Sequence, residues 1–515
     1  MARKSRDSMV DAALEALDAA QLRDLIHEIL PWIHDRNRPR LEALIVERAT
    51  QSGSGWTPDS PGAWRAEKAE AFAAAAVMAS YADSGDVDAY LRDGMHAFLA
   101  GDYQVAARIF GTLLIPMGRA DFHVGQDGQV DDVLGVDAGL CARQFAVATY
   151  MTSVAKDRAS EVFAVMRDVG EVGRVLRPLE ALEQTAREPL PDFDGFVVDW
   201  LAVVEAEAFS GGERGDDAWL REVTLRLHGE EGLVEVARRS RAYNDYNAWC
   251  RLLKERKDWV AARAAYEEAA ERVEADAHVR GSLLDGAALA AQELGAADLS
   301  EVLERAWKVA PTLERLQRWL GQCATREALV ERAELALAAV PARAERQRAL
   351  LLVLTSKFDE TAQLLEEAEG IGWSYEHHPG PVIFEVFAAL LAGEEVCVTL
   401  PATGWAARAS SVGHSPTLKT PEINALLALA ELEAPADEAL RDRMRGAMRR
   451  AAERRVDEVA AHKARDDYGH AAGLMVRCAR VEGTPEAEAW MRGIMEKYRR
   501  FSSLKKAFMA GLGED

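Results

Sequence analysis

Large and small apolar residues alternate along Lys257 to Ala270: Trp259 leads, with Ala262, Tyr266 and Ala269 three, seven and ten positions on. These offsets fall near one stripe of a helix with a 3.6-residue period. The same order recurs as Tyr103, Ala106, Ala107, Phe110 and Leu113, as Phe358, Thr361, Ala362, Leu365 and Ala368, and as Tyr468, Ala471, Ala472, Met475 and Cys478. Four segments in one register predict helical hairpins packed through a shared kind of inner face. Alternation of period two is scarce, so the spacing predicts an all-α chain.

Between these marked helices the pattern continues. Leu14, Leu17, Leu22, Leu25, Ile26 and Ile29 form an apolar stripe that Pro31 ends, and Leu41, Leu44 and Ile45 restart it, which resembles a HEAT-like pair. Thr50 to Gly62 reads as a loop, and Trp64 to Tyr81 and Val87 to Leu99 as helices. Between Pro116 and Asp137 the helical period is lost. Helices resume from Ala138 to Thr185, Phe193 to Phe209, a helix ending near Leu227, and Val234 to Arg256, whose Trp249, Leu252 and Leu253 face the Trp259 helix. Residues 279–370 continue as hairpins, with Leu283, Leu284, Leu289, Leu299, Val302, Leu303, Trp307 and Leu320 as expected core. Prolines then interrupt, around a short helix from about Val382 to Leu391. Ala425 to Glu433, Glu438 to Ala461, Tyr468 to Val481 and Ala487 to Phe508 close the chain. The expected organisation is N-terminal hairpins over 1–115, an acidic connector over 116–137, a central array over 138–370, a Pro/Gly-rich interruption over 371–421 and C-terminal basic hairpins over 422–515.

The order aromatic, Ala, aromatic, Ala at offsets 0, 3, 7 and 10 resembles the second helix of a tetratricopeptide repeat. That family also places a small residue nine positions before the first aromatic, where two helices cross closely; Gly94, Cys250 and Ala349 meet this requirement and Val459 does not. Successive marked helices begin 156, 99 and 110 residues apart, where the family repeats every 34 or so. The intervening hairpins are therefore degenerate or of another helical type. The resemblance implies a right-handed solenoid, interrupted around 371–421. The segment IGWSYEHHPGPVIFEVFAALLAG also looks like a feature of some bacterial solenoids associated with SWIM-type zinc fingers. The CxC and CxH pairs of that finger are absent, so no zinc role carries over.

A length of 515 residues exceeds what one core normally serves, which fits several domains or an elongated array. The charge balance of 62 Lys and Arg against 85 Asp and Glu, a net of −23, disfavours general binding to nucleic acid or anionic membranes. The distribution is uneven: Arg441 to Asp515 holds 17 basic and 12 acidic residues, a local net of +5, leaving −28 before it. The basic opening MARKSRDSMV lacks the apolar run of a secretory signal, and no stretch of eighteen apolar residues exists, so a cytoplasmic protein is expected. Cys141, Cys250, Cys323, Cys397 and Cys478 lie far apart and suit reduced core thiols.

Motifs that would carry chemistry are missing: no Gly-x-Ser-x-Gly, no Walker phosphate loop, no HExxH, no CxxC. Asp127, Asp131 and Asp132 gather beside glycines without the alternate spacing of a calcium loop. Gly321-Gln322-Cys323 starts like a caspase nucleophile but continues with Ala324 and Thr325. The adjacent His377 and His378 are the remaining candidates for ligation or acid–base work. Neighbouring residues of an extended turn point apart, which favours a histidine that orients a helix start. Arg441, Arg443, Arg445, Arg449, Arg450, Arg454 and Arg455 wrap around a helix without an aromatic platform, which fits a largely exposed solvated face or an acidic protein partner. The sequence thus leads to a non-enzymatic protein-binding scaffold, with no catalytic, cofactor or metal residue assigned. A nucleic-acid-associated protein acting through the basic end, and a hydrolase with a scattered site, are the alternatives.

Overall fold

The computed structural model describes residues 16–33, 38–52, 54–125, 130–208, 217–400 and 416–512. Those residues are helical throughout, joined by turns and irregular segments, with an isolated backbone bridge between Tyr81 and His123. None of their helices is long and apolar enough to cross a membrane. The chain divides into two compact units, Met1–Val236 and Ala237–Asp515.

In the first unit, helices Ala63–Ala79 and Ser84–Leu99 pack on Tyr103–Gly118, which lies against Ala138–Thr152 and Arg158–Val169; Phe193–Ala208 covers the last of these. Phe98, Phe110, Tyr150 and Trp200 are fully buried at the centre. The Tyr103 helix runs through Pro116 to Gly118, although the proline removes one backbone donor and crowds the carbonyl four residues before it. The stretch expected to be a solvated connector contributes core residues: Phe122, Val124, Leu134 and Val136 are buried. Its end is tied down by buried Asp88, whose carboxylate accepts from the Gly135 and Val136 N–H groups at 2.8 and 3.2 Å. Asp127 and the side chains of Asp131 and Asp132 lie outside the described residues. At the N-terminal side, the Ala19–Ile29 helix is closed by an Asp18–Gln21 capping box and buries none of its residues; Ile26 and Ile29 stay exposed.

In the second unit each helix packs on its chain neighbour from Tyr243–Glu255 through Trp259–Arg272 and Ala277–Leu294 to Leu299–Val309 and Leu313–Leu320. Neighbour packing continues through Arg326–Ala339 to Glu345–Leu354, where contacts between more distant helices join it. Helix Glu345–Leu354 meets both Phe358–Glu367 and Gly380–Ala392, and Phe358–Glu367 packs on the distant Glu438–Ala461, itself followed by Tyr468–Glu482. The marked stripes face inward: Ala262, Tyr266 and Ala269, then Phe358, Thr361, Ala362 and Leu365, then Tyr468, Ala471, Ala472, Met475 and Cys478 are all buried, and Trp259 half-buried. The expected core from Leu283 to Leu320 is buried too, except half-buried Leu299.

Two long helices expected from periodicity are each divided. Val234 to Arg256 breaks at Arg241, a left-handed residue (φ 52°) between Ser240 and Tyr243, with the Ser240 hydroxyl accepting from the Ala242 N–H. Ala487 to Phe508 becomes Pro485–Lys497 and Ser502–Leu512, separated by a turn in which Phe501 N–H donates to Tyr498 O.

Three of the four marked hairpins share one turn. The first helix ends at Leu99, Glu255 or Leu354; two residues later Gly101, Lys257 or Ser356 takes φ of 79°, 59° or 53°; two residues further the aromatic opens the second helix. In each, the residue after the left-handed one donates its N–H back five positions, Asp102 to Ala97, Asp258 to Leu253 and Lys357 to Leu352, at 2.9–3.0 Å. This is a Schellman-type closure. In the fourth, Lys463 is left-handed (φ 55°) but the 3₁₀ turn Arg465–Asp467 intervenes before Tyr468, so the nine-residue offset to Val459 no longer marks the equivalent position. A β-carbon in the left-handed region costs about 1–2 kcal/mol, whereas glycine has no such penalty but is freer when unfolded. Lys257→Gly and Ser356→Gly are each expected to stabilise by about 0.5–1 kcal/mol, and additively, since distant sites do not couple. Urea midpoints test this, and a loss of stability in both variants would contradict the shared turn.

Candidate functional site

The two histidines singled out by sequence sit at the end of the turn that leads from Glu367 to Gly380. His377 is exposed beside Tyr375, with ring centroids 5.8 Å apart, while His378 is 3% exposed. His378 Nδ1 accepts from the Gly380 N–H at 3.1 Å, at the start of helix Gly380–Ala392, and its Nε2 lies 2.8 Å from Glu369 O. An N–H pointing at Nδ1 requires the neutral ring with its proton on Nε2, donating to the carbonyl. The turn is buried at Gly370, Gly372, Trp373 and His378 and exposed from Ser374 to His377, and several of its carbonyls find side-chain donors. Arg346 donates to His378 O at 2.8 Å, Trp373 O at 3.3 Å and Tyr375 O at 2.5 Å; Arg454 donates to Ala368 O at 2.5 Å and Arg455 to Gly370 O at 2.9 Å. Arg346 and Arg455 are 3% and 2% exposed. Gly370 lies so close to the Glu438–Ala461 helix that a β-carbon would stand 2.5 Å from Arg454 O. Trp373 fills the centre, 5.0 Å from His378 and 5.1 Å from His470 between ring centroids.

Burial, with Arg346 and Arg455 nearby, pushes the His378 imidazole down to about 4 from its ordinary 6.5. The folded state therefore binds fewer protons than the unfolded chain between these pH values. Stability is complete above pH 6.5 and falls as pH drops toward 4, by about 2–3 kcal/mol for this group. Denaturant midpoints at intervals across that window are expected to fall more steeply for the native chain than for His378→Asn. Parallel curves would assign the acid sensitivity elsewhere.

The basic run of helix Glu438–Ala461 is occupied by internal partners. Arg441 donates to Pro435 O at 2.7 Å, Arg443 pairs with Asp359, Arg445 with Glu438 and Asp442, Arg449 with Glu482 and Arg450 with Glu366. Arg454 and Arg455 hold the turn just described, and Arg455 also pairs with Asp467 at 2.8 Å. Arg455 corrects the expectation of a largely exposed arginine face: it points into the unit because the turn's buried carbonyls need donors. Cys141, Cys250, Cys323 and Cys478 are buried and Cys397 is exposed, against the expectation that all five are core thiols. Burial raises the Cys323 thiol, away from a nucleophile's range. Among the described residues no group of three or more His, Cys, Asp or Glu could hold a metal ion.

A second constellation had no sequence signal. After the interruption, residues 416–422 run without regular structure across helices Ala277–Leu294 and Leu313–Leu320. The Gln292 amide holds this segment at two points, donating to Thr417 O at 3.2 Å and accepting from the Lys419 N–H at 2.8 Å. Arg318 Nε donates to the Thr420 hydroxyl at 2.7 Å, and Gln317 donates to Pro421 O at 3.3 Å. The Pro421 ring sits on Gly321, where a β-carbon would come within 2.4 Å of its Cγ. Arg318 is itself set by Asp285, at 3.2 Å, and by Glu314. Three of these bonds read main-chain groups and one reads a hydroxyl.

A scan against protein-family models, a search of curated proteins and a search of solved structures each gave no match to this chain.

Proposed function

We propose that this chain is a non-enzymatic protein-binding scaffold, a degenerate right-handed array of tetratricopeptide-like and HEAT-like hairpins working in the cytoplasm. The observation that carries the reading is the extended segment Pro416–Pro421, taken up on a helical face by side chains that address its backbone. A surface that binds one extended chain through main-chain groups is suited to binding another. The hairpin type is supported by the turn repeated at Gly101, Lys257 and Ser356, and a reducing compartment by four buried unpaired thiols. The arginines that would serve nucleic acid are engaged with carboxylates and carbonyls, which favours a protein partner over the alternative through the basic end. A fold of this kind hosts many functions, so it is the surface and not the architecture that points to a protein partner.

Affinity purification from the native host with mass spectrometry, with and without nuclease, followed by cross-link mapping, tests this reading. Protein partners that survive nuclease and cross-link to helical faces are the expected result. Partners recovered only through nucleic acid would replace it.

A further inference from the structure

We propose that Gln292, Gln317, Arg318 and Gly321 form a receptor for an extended peptide ending in Thr-Pro, and that Pro416–Pro421 is its intramolecular occupant, displaced by a matching segment of a partner protein. The inference rests on the scaffold reading and names the partner's recognised feature. Gln292 bonds the carbonyl of Thr417 and the amide of Lys419, two residues apart, the spacing at which an extended strand offers its groups to one side. This contact selects an extended backbone and no side chain. Selection comes at the end of the segment. Arg318 donates to the hydroxyl of Thr420. Gly321 leaves the flat seat on which the ring of Pro421 lies, and Gln317 takes the carbonyl that follows. A proline here has no N–H to satisfy, and it restricts the threonine before it to extended backbone, so the pair arrives already shaped for the seat. Thr417, Lys419 and Thr420 are exposed, and the contacts are peripheral hydrogen bonds in place of a sealed apolar core. A segment held in this way can exchange without the helices beneath it coming apart.

A fluorescent peptide of sequence Pro-Thr-Leu-Lys-Thr-Pro-Glu, titrated against the full chain by anisotropy, tests the receptor. The native chain binds it weakly, because the internal segment competes. Thr420→Ala with Pro421→Ala weakens that competitor, and affinity for the peptide is expected to rise about tenfold or more, as the fraction of open receptor rises. Adding Gln292→Ala to this variant removes the binding, and a peptide with Thr and Pro separated does not bind either. Equal, weak binding of both peptides to every variant, with circular dichroism confirming helix, would overturn the proposal. Should the double variant fail to fold, hydrogen exchange on the native chain serves instead. Saturating peptide is expected to accelerate exchange at the Lys419 amide, which loses its Gln292 partner, and an unchanged rate rejects the displacement. Failure of the peptide alongside nuclease-resistant partners cross-linked to other helical faces would sink this receptor and leave the scaffold standing.

Discussion

Replacing Arg346 by Ala is expected to destabilise the second unit by about 3–5 kcal/mol. The guanidinium is 3% exposed and burial lowers its pKa, so its charge is held in the interior mainly by the carbonyls of Trp373, Tyr375 and His378. Deleting it leaves the buried carbonyls of Trp373 and His378 without this donor, while Tyr375 O keeps the His378 N–H, and each unsatisfied group costs about 1–3 kcal/mol before any relaxation. Arg346→Met separates the two contributions, since it keeps much of the side-chain volume while removing all the donors, and it is expected to recover little. Arg346→Lys keeps the charge but has no planar fork to span three carbonyls, so an intermediate loss is expected. Urea denaturation followed by circular dichroism reads these differences. An Arg346→Met variant as stable as the native chain would mean that the turn closes without the arginine, and that volume alone was needed there.

This clamp also shows where reading the sequence stops. The inward stripes at Tyr266, Phe358 and Tyr468 were legible because a helical period repeats every few residues and can be followed locally. The break at Arg241 was not, since neither glycine nor proline marks it; a left-handed arginine is tolerated when the surrounding packing sets the corner. Lys257 and Ser356 are hidden for the same reason, although Gly101 at the equivalent position offered a hint that aligning the three turns could have exposed. The sequence offers His377 and His378 as a pair, one of which would orient a helix start, without choosing between them; in the structure the bond to Gly380 N–H belongs to His378. The donors around it were out of reach, because Arg346 and Arg455 come from helices far along the chain and carry no pattern that distinguishes them from surface arginines. Gln292 is farther still from Thr417, 125 residues before it, and a glutamine on a helix face has no period of its own.

The second large effect concerns the stripe that organises the hairpins. Tyr266 is 8% exposed, and a β-carbon on Gly286 of the next helix would stand 2.4 Å from its Cε1, so the ring fills the space that the glycine leaves. Tyr266→Ala is expected to cost about 3–5 kcal/mol through lost burial and the cavity left behind. Gly286→Ala alone is expected to cost about 1–3 kcal/mol, because the added methyl meets an aromatic ring and not a flexible chain end. In the Tyr266→Ala background the same substitution changes sign. The ring is gone, the methyl enters the cavity, and alanine is a better helix residue than glycine by about 0.5–1 kcal/mol. The double variant should therefore be more stable than Tyr266→Ala by itself, with a coupling of about 2–4 kcal/mol in a double-mutant cycle. Thermal or urea unfolding of the four proteins measures it. Additive effects would mean that the ring and the glycine do not meet, and that the inner stripe packs against something other than the Ala277–Leu294 helix.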